Sequence, residues 1–267
     1  MKSSSSTVLV ARLLLLFGLL SLAGCVTTTN SPFAREADQQ KAVKNYVRLG
    51  TAYISQGNYD RARDHLQRAL QIDPDSPGAL SAMGLIYQQE GEEELAEQSF
   101  RKAIDSDGGY TRGRLFYGAF LYGQGRYGDA REQFSRASKD TDFEDRGAIF
   151  YNLGRTQDQL GQHDAAVKSY RRAVELTRNN ANYLLALSTS LIEQGNYDDA
   201  QRYYSRLAGM IQRDSKLTHS PDSLLTGLKL AHYYGDQHRE ASLALLLRNQ
   251  YPESEQLKQY RALISNE

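Results

Sequence analysis

The chain has 267 residues, 40% of them hydrophobic, which is enough for one large or two small cores. Its 32 Lys and Arg balance 32 Asp and Glu, so the basic excess that marks a nucleic-acid binder is missing and no nucleic-acid partner is expected. A single cysteine, Cys25, rules out an intrachain disulfide and a thiolate metal cluster.

The first 24 residues have the layout of a secretory signal peptide: Lys2 and Arg12 supply positive charge, Leu13 to Leu20 form an apolar run, and no acidic residue precedes Glu36. The run is short for a bilayer span. Leu22-Ala23-Gly24-Cys25 resembles the lipobox of bacterial lipoproteins. The resemblance implies cleavage before Cys25 and acylation of its thiol and new amino group. Stable anchoring takes more than one acyl chain, and a lipoprotein has several. Val26 stands where an aspartate usually marks inner-membrane retention, which points to the periplasmic face of the outer membrane of a Gram-negative bacterium. Residues 25–42 read as the lipidated cysteine and a polar tether.

A period follows. QGNYDRA begins at Gln56, EGEEELA at Glu90, QGRYGDA at Gln124, LGQHDAA at Leu160 and QGNYDDA at Gln194. Their glycines, Gly57, Gly91, Gly125, Gly161 and Gly195, recur at steps of 34, 34, 36 and 34 residues, and a divergent sixth copy centres on Gly235. Ahead of each glycine runs an apolar stripe at helical spacing, such as Tyr46, Leu49, Gly50, Tyr53 and then Leu80, Met83, Gly84, Tyr87. Behind it come Ala62, Leu66, Ala69; Ala96, Phe100, Ala103; and their counterparts, a small residue at the crossing and a large one a turn later. The small residue within the first stripe (Gly50, Gly84, Gly118, Gly154, Ser188) lets the second helix approach closely.

These residues resemble the tetratricopeptide (TPR) pattern over about 43–254, with Tyr or Phe for its usual Trp. The expected fold is all-α, a right-handed TPR superhelix of about six helix–turn–helix repeats; residues 255–267 form a tail or the end of a capping helix. Three departures stand out. Arg114 occupies a usually apolar position, two extra residues fall in Ser138 to Arg146, and six more lie between Gly209 and Ser220.

No enzyme is expected. Gly123-x-Gly125-x-x-Gly128 has the spacing of a dinucleotide loop, but that loop needs a preceding strand, and Gly125 is one of the series of turn glycines. His232, Asp236, His238 and Glu240 are the nearest approach to a metal cluster, without a metal-binding spacing. No nucleophile elbow or Cys–His pair is present. Cofactors, metals and small-molecule substrates are therefore not expected.

The surface lined by the first helix of each repeat is the candidate binding face. Offset from the packing stripe, it gives Val47, Thr51 and Ile54, then Leu85, then Leu115, Ala119 and Tyr122, and turns charged at Arg155 and Asp158. This apolar row is the predicted partner-binding groove, suited to a helix or an extended segment.

Finer stretches resemble one family, the type IV pilus biogenesis lipoproteins (pilotins) with six TPR units. They are Tyr117-Gly-Ala-Phe-Leu121, Asp140-Thr-Asp-Phe143, Ser223-Leu224 with Gly227, Gly235-Asp236 and Tyr251-Pro-Glu-Ser254. The resemblance implies a scaffold that binds subunits of the pilus secretin and promotes their outer-membrane localisation and multimerisation. An outer-membrane TPR adaptor for peptidoglycan enzymes or proteases, or for outer-membrane protein assembly, is the competing expectation.

Overall fold

The computed structural model describes residues 32–178 and 180–265. The expected signal peptide, Cys25 and the start of the expected tether lie outside the described residues. Thirteen helices follow one another in those residues, with no strand among them. They are α1 Pro32–Ser55, α2 Tyr59–Ile72, α3 Pro77–Glu90, α4 Glu93–Ser106, α5 Thr111–Gly123, α6 Tyr127–Ala137, α7 Arg146–Gln159, α8 His163–Leu176, α9 Ala181–Glu193, α10 Tyr197–Arg213, α11 Pro221–Tyr233, α12 Gln237–Gln250 and α13 Glu255–Ser265.

Consecutive helices pair as α1–α2 through α11–α12, and each pair stacks on the next, so the expected six repeats form one right-handed solenoid closed by α13. None of these helices is long and apolar enough to cross a membrane.

Each pair is closed by the same device. The six turn glycines, Gly235 included, hold φ between 69° and 79°, a left-handed conformation that glycine adopts without steric cost. The next helix is then capped by a side chain where one is available: Asn58 accepts from the Arg61 amide, Asn196 from Asp199 and Asp236 from Arg239.

Packing within a pair follows the small-residue stripe. A Cβ on Gly118 would sit 2.7 Å from Phe134 Cε1, and one on Gly84 the same distance from Phe100 Cε1. Phe100 and Phe134, like Ala62, Ala96 and Ala130, are fully buried. Leu49 departs from the expected stripe: it is 37% exposed, while its counterparts Met83 and Leu153 are buried. Among the described residues no helix precedes the first repeat to cover it.

The departures in the sequence have local causes. Arg114 is buried, and its guanidinium donates to the Gly108 carbonyl through Nε and Nη2 (3.1 and 2.8 Å) and to Gln133 Oε1 through Nη1 (2.9 Å). It ties the α4–α5 turn to α6. The two extra residues lie in the loop after α6, where the Thr111 hydroxyl donates to Asp140 and Arg112 lies over Phe143. The six extra residues lengthen α10 to seventeen residues and the loop behind it.

In the sixth repeat Gly227 takes the place of the small residue, against Tyr204, and Ala241 is exposed rather than packed. Leu243 and Leu247 turn inward instead and meet Leu257 and Tyr260 of α13. The Tyr251 hydroxyl donates to the His219 carbonyl at 2.8 Å, fixing the last turn.

The two ends of the described chain are both helical. Helix α1 begins at Pro32, so residues 32–41 of the expected polar tether are helical, and of the two expectations for 255–267 the structure shows a capping helix, α13, over 255–265.

Candidate functional site

A cleft of about 810 Å³ lies at the N-terminal end of the solenoid. Helix α1 forms one wall with Val43, Val47 and Thr51; the start of α3 gives Pro77 and Gly78; Tyr110, Arg112 and Phe116 close the far side. The cleft exists because α1 is 24 residues long while α3 has 14, so its first turns overhang the next repeat.

The floor is apolar and aromatic. Val47 is half-buried, and a Cβ on Gly78 would lie 3.1 Å from its Cγ1 and 3.4 Å from the Tyr110 hydroxyl. Burial pushes the Tyr110 phenol above its ordinary value, so it stays protonated at neutral pH. The Thr51 hydroxyl shares its one proton between the carbonyls of Val47 and Arg48 (2.8 and 3.0 Å), so its donor is spent within α1. Glu36, Lys44, Arg48, Asp73 and Arg112 form a rim of both signs. An apolar floor with a mixed charged rim suits a peptide segment, and the cleft lining contains no nucleophile–base pair.

The structure divides the predicted groove. Val47 and Thr51 line the cleft. Ile54 is half-buried against the first hydrophobic cluster, and Leu85, Leu115 and Tyr122 against the second, around Phe100 and Phe134. Ala119 is exposed. Tyr122 meets Tyr127 edge-on at 5.2 Å and carries the Arg155 guanidinium 4.5 Å above its ring, so Arg155 closes the row at the fourth repeat. The reading of the sequence missed Val43, Gly78, Tyr110 and Phe116. Phe116 lies one position beyond Leu115 on α5, and Tyr110 sits in the turn before it, outside any helical row.

The other candidate chemistry is accounted for structurally. The glycines at 123, 125 and 128 join α5 to α6, with no strand before them. Among the described residues no group of His, Cys, Asp or Glu is arranged to hold a metal ion. Glu240 instead accepts from the Tyr260 hydroxyl at 2.9 Å and pairs with His232 at 3.2 Å, while Asp236 caps α12. Repeats are tied along the solenoid by polar contacts. Chief among them is Glu97, whose Oε1 accepts from Tyr117, Arg101 and Arg126, each at 2.8 Å.

A solenoid of paired helices with a cleft, and with no catalytic constellation among the described residues, defines the class: a TPR scaffold for protein interaction. Tetratricopeptide-repeat profiles match residues 50–91, 77–110, 112–179 and 159–218. The type IV pilus assembly protein PilF of Pseudomonas aeruginosa is 32% identical over 244 residues, covering 91% of this chain and 94% of that protein. A solved structure of P. aeruginosa PilF superposes with a TM-score of 0.77, covering 84% of this chain and 99% of that one. This chain belongs to the PilF family of type IV pilus assembly proteins, TPR scaffolds rather than enzymes. Two further structures share the fold: PilW, a widely conserved type IV pilus biogenesis factor (22% identical, TM-score 0.68, 81% of this chain and 97% of that one), and YrrB, a TPR protein with an unusual peptide-binding site (18%, 0.59, 74% and 97%).

Proposed function

We propose that this chain is a lipid-anchored outer-membrane scaffold for type IV pilus biogenesis, which binds secretin subunits and promotes their localisation and multimerisation. The observation that carries the reading is the 32% identity to the pilus assembly protein PilF across 91% of the chain. The cleft between α1, α3 and α5 supplies a place for a partner segment, with Val47 and Thr51 in its lining. Ile54, Leu85, Leu115, Ala119 and Tyr122 extend the contact along the repeats.

The mechanism is concentration at a surface. Acyl chains on Cys25 fix the scaffold at one membrane, and a subunit held in the cleft is retained near others bound in the same way. Association among subunits then proceeds at a raised local concentration, with no covalent step. Each buried CH₂ of the anchor contributes about 0.8 kcal/mol, so loss of the chains releases the protein.

Cell fractionation with co-purification tests both halves. Wild-type protein is expected in the outer-membrane fraction and to bring secretin subunits with it, while Cys25→Ala leaves the membrane. Membrane residence of Cys25→Ala contradicts the anchor, and purification without secretin subunits contradicts the partner.

A further inference from the structure

We propose that the outer layer of the fifth repeat carries a second binding site, for a carboxylate-bearing peptide segment with a neighbouring apolar residue. It goes beyond the pilus reading, and it stands on residues distant from the α1–α3–α5 cleft. The site is a product of the insertion. Paired helices α2, α4, α8 and α12 each have 14 residues and α6 has 11, but α10 runs for 17. Its last fully buried residue is Leu207; in the turn from Gly209 to Arg213 beyond it, Met210 and Ile211 still pack half-buried against the core, while Gly209 and Arg213 border a hollow on the outer side.

That turn and the α8–α9 connection enclose a shallow cleft of about 350 Å³ lined by Arg178, Ser205, Arg206, Gly209, Met210 and Arg213. Arg206 is held in place, since its Nη2 donates to the Arg178 carbonyl at 3.0 Å and its guanidinium lies 5.8 Å over the Tyr203 ring. The Arg213 guanidinium lies back over Gly209, where a Cβ would be 3.4 Å from Nη1. Nearby carboxylates are engaged elsewhere: Asp199 by Arg171 and Arg202, Glu175 by Arg172. Arg178, Arg206 and Arg213 have no carboxylate within ion-pair distance among the described residues.

Arg206 and Arg213 place guanidinium groups at one hollow that Arg178 also lines, and none of the three is held in an ion pair among the described residues, which leaves them open to an anion. Their planar forks match a carboxylate in two-point contact. A second hollow of about 440 Å³ adjoins the first, shares Met210 and Arg213, and adds Ala181 and Leu217 as apolar lining together with Asp214, whose Oδ1 accepts from the Lys216 amide at 3.0 Å. The pair therefore takes a carboxylate and a neighbouring apolar side chain. A bilayer is the poorer fit, because it rewards a broad face of one sign. Here Asp199, Glu175 and Asp214 interrupt the basic residues.

The test uses the full chain in neutral detergent and two fluorescein-labelled nine-residue peptides, one alternating Glu and Leu, the other Gln and Leu. Fluorescence anisotropy is expected to show the Glu peptide binding at least about tenfold tighter than the Gln peptide, about 1.4 kcal/mol. The triple variant Arg178→Gln, Arg206→Gln, Arg213→Gln is expected to lose that preference with an unchanged melting temperature, since all three side chains are exposed. Gly78→Leu, which fills the other cleft, is expected to leave the peptide affinity as it was. Equal binding of the two peptides, full binding by the triple variant, or loss on Gly78→Leu overturns the proposal. So does arginine-dependent sedimentation with phosphatidylglycerol vesicles in the absence of peptide binding, which assigns the arginines to a membrane.

Discussion

Val47 and Gly78 meet across the first two repeats so closely that a methyl group on Gly78 would lie 3.1 Å from Val47 Cγ1. The bare backbone of α3 is thus one surface of the cleft, and a larger side chain at 78 fills the space a partner would take. Gly78→Leu also gains helix propensity of about 0.8–1 kcal/mol, which offsets crowding at the helix start. The variant is expected to keep its melting temperature within a few degrees and to bind a purified secretin subunit about tenfold more weakly by titration calorimetry.

Of the three glycines at 123, 125 and 128, only Gly125 has a positive φ, at 72°, and a Cβ on either of the others would meet nothing within 4 Å. Gly125→Ala is expected to destabilise the chain by about 1–2 kcal/mol. Gly123→Ala and Gly128→Ala are expected to be neutral or stabilising by up to about 1 kcal/mol. Denaturant unfolding of the three variants separates a turn glycine from its chance companions; a phosphate loop would make all three matter to nucleotide binding.

Close approach is a different constraint. Gly118→Val places methyl groups against the fully buried Phe134 ring, 2.7 Å from the Cβ position. Overpacking of this kind costs about 1–3 kcal/mol. The thermal midpoint is expected to fall by about 2–4 °C for each kcal/mol lost.

Arg114 has a structural role that its charge disguises. Burial pushes its guanidinium below the ordinary value, yet the Gly108 carbonyl and Gln133 satisfy it. Arg114→Ala leaves those two acceptors unpaired and is expected to cost about 2–4 kcal/mol in urea unfolding. Arg114→Met with Gln133→Leu removes the donors and the side-chain acceptor together and is expected to recover part of the loss.

Acid weakens the contact between the second and third repeats. Burial pushes the Glu97 carboxyl up, but hydrogen bonds from Arg126, Tyr117 and Arg101 outweigh it and hold the group down at about 2, against an ordinary 4.5. A folded-state value below the unfolded one means that this stabilisation is complete above pH 4.5 and is lost as pH falls through about 2. Glu97→Gln is expected to cost about 1 kcal/mol at neutral pH, a modest figure because the carboxylate is partly solvated. The difference from wild type should shrink on acidification; a constant difference across the range contradicts the assignment.

Most of the architecture was legible because a solenoid writes its fold locally. Each turn glycine, alanine crossing and aromatic knob recurs at a fixed spacing, and Gly57 and Gly195 perform the same task. Residues 32–41 lack an apolar stripe, so periodicity does not mark them as helix; their Ala, Glu, Gln and Lys content carries the helical signal instead. The cleft was only half legible. Val47 and Thr51 lie on a helical row, but Tyr110 reaches it from a turn and Gly78 contributes by lacking a side chain, and neither leaves a periodic trace. Leu85, Leu115 and Tyr122 were found by their spacing, which does not say how far neighbouring rings cover them.

The most direct measurement is the yield of secretin multimers in outer membranes of a strain lacking this chain and complemented with wild type or Gly78→Leu. Multimers restored by wild type and reduced at least severalfold with the variant, at equal protein levels, are the predicted result. Multimers present without the chain, or fully restored by Gly78→Leu, contradict a cleft that delivers secretin subunits to the outer membrane.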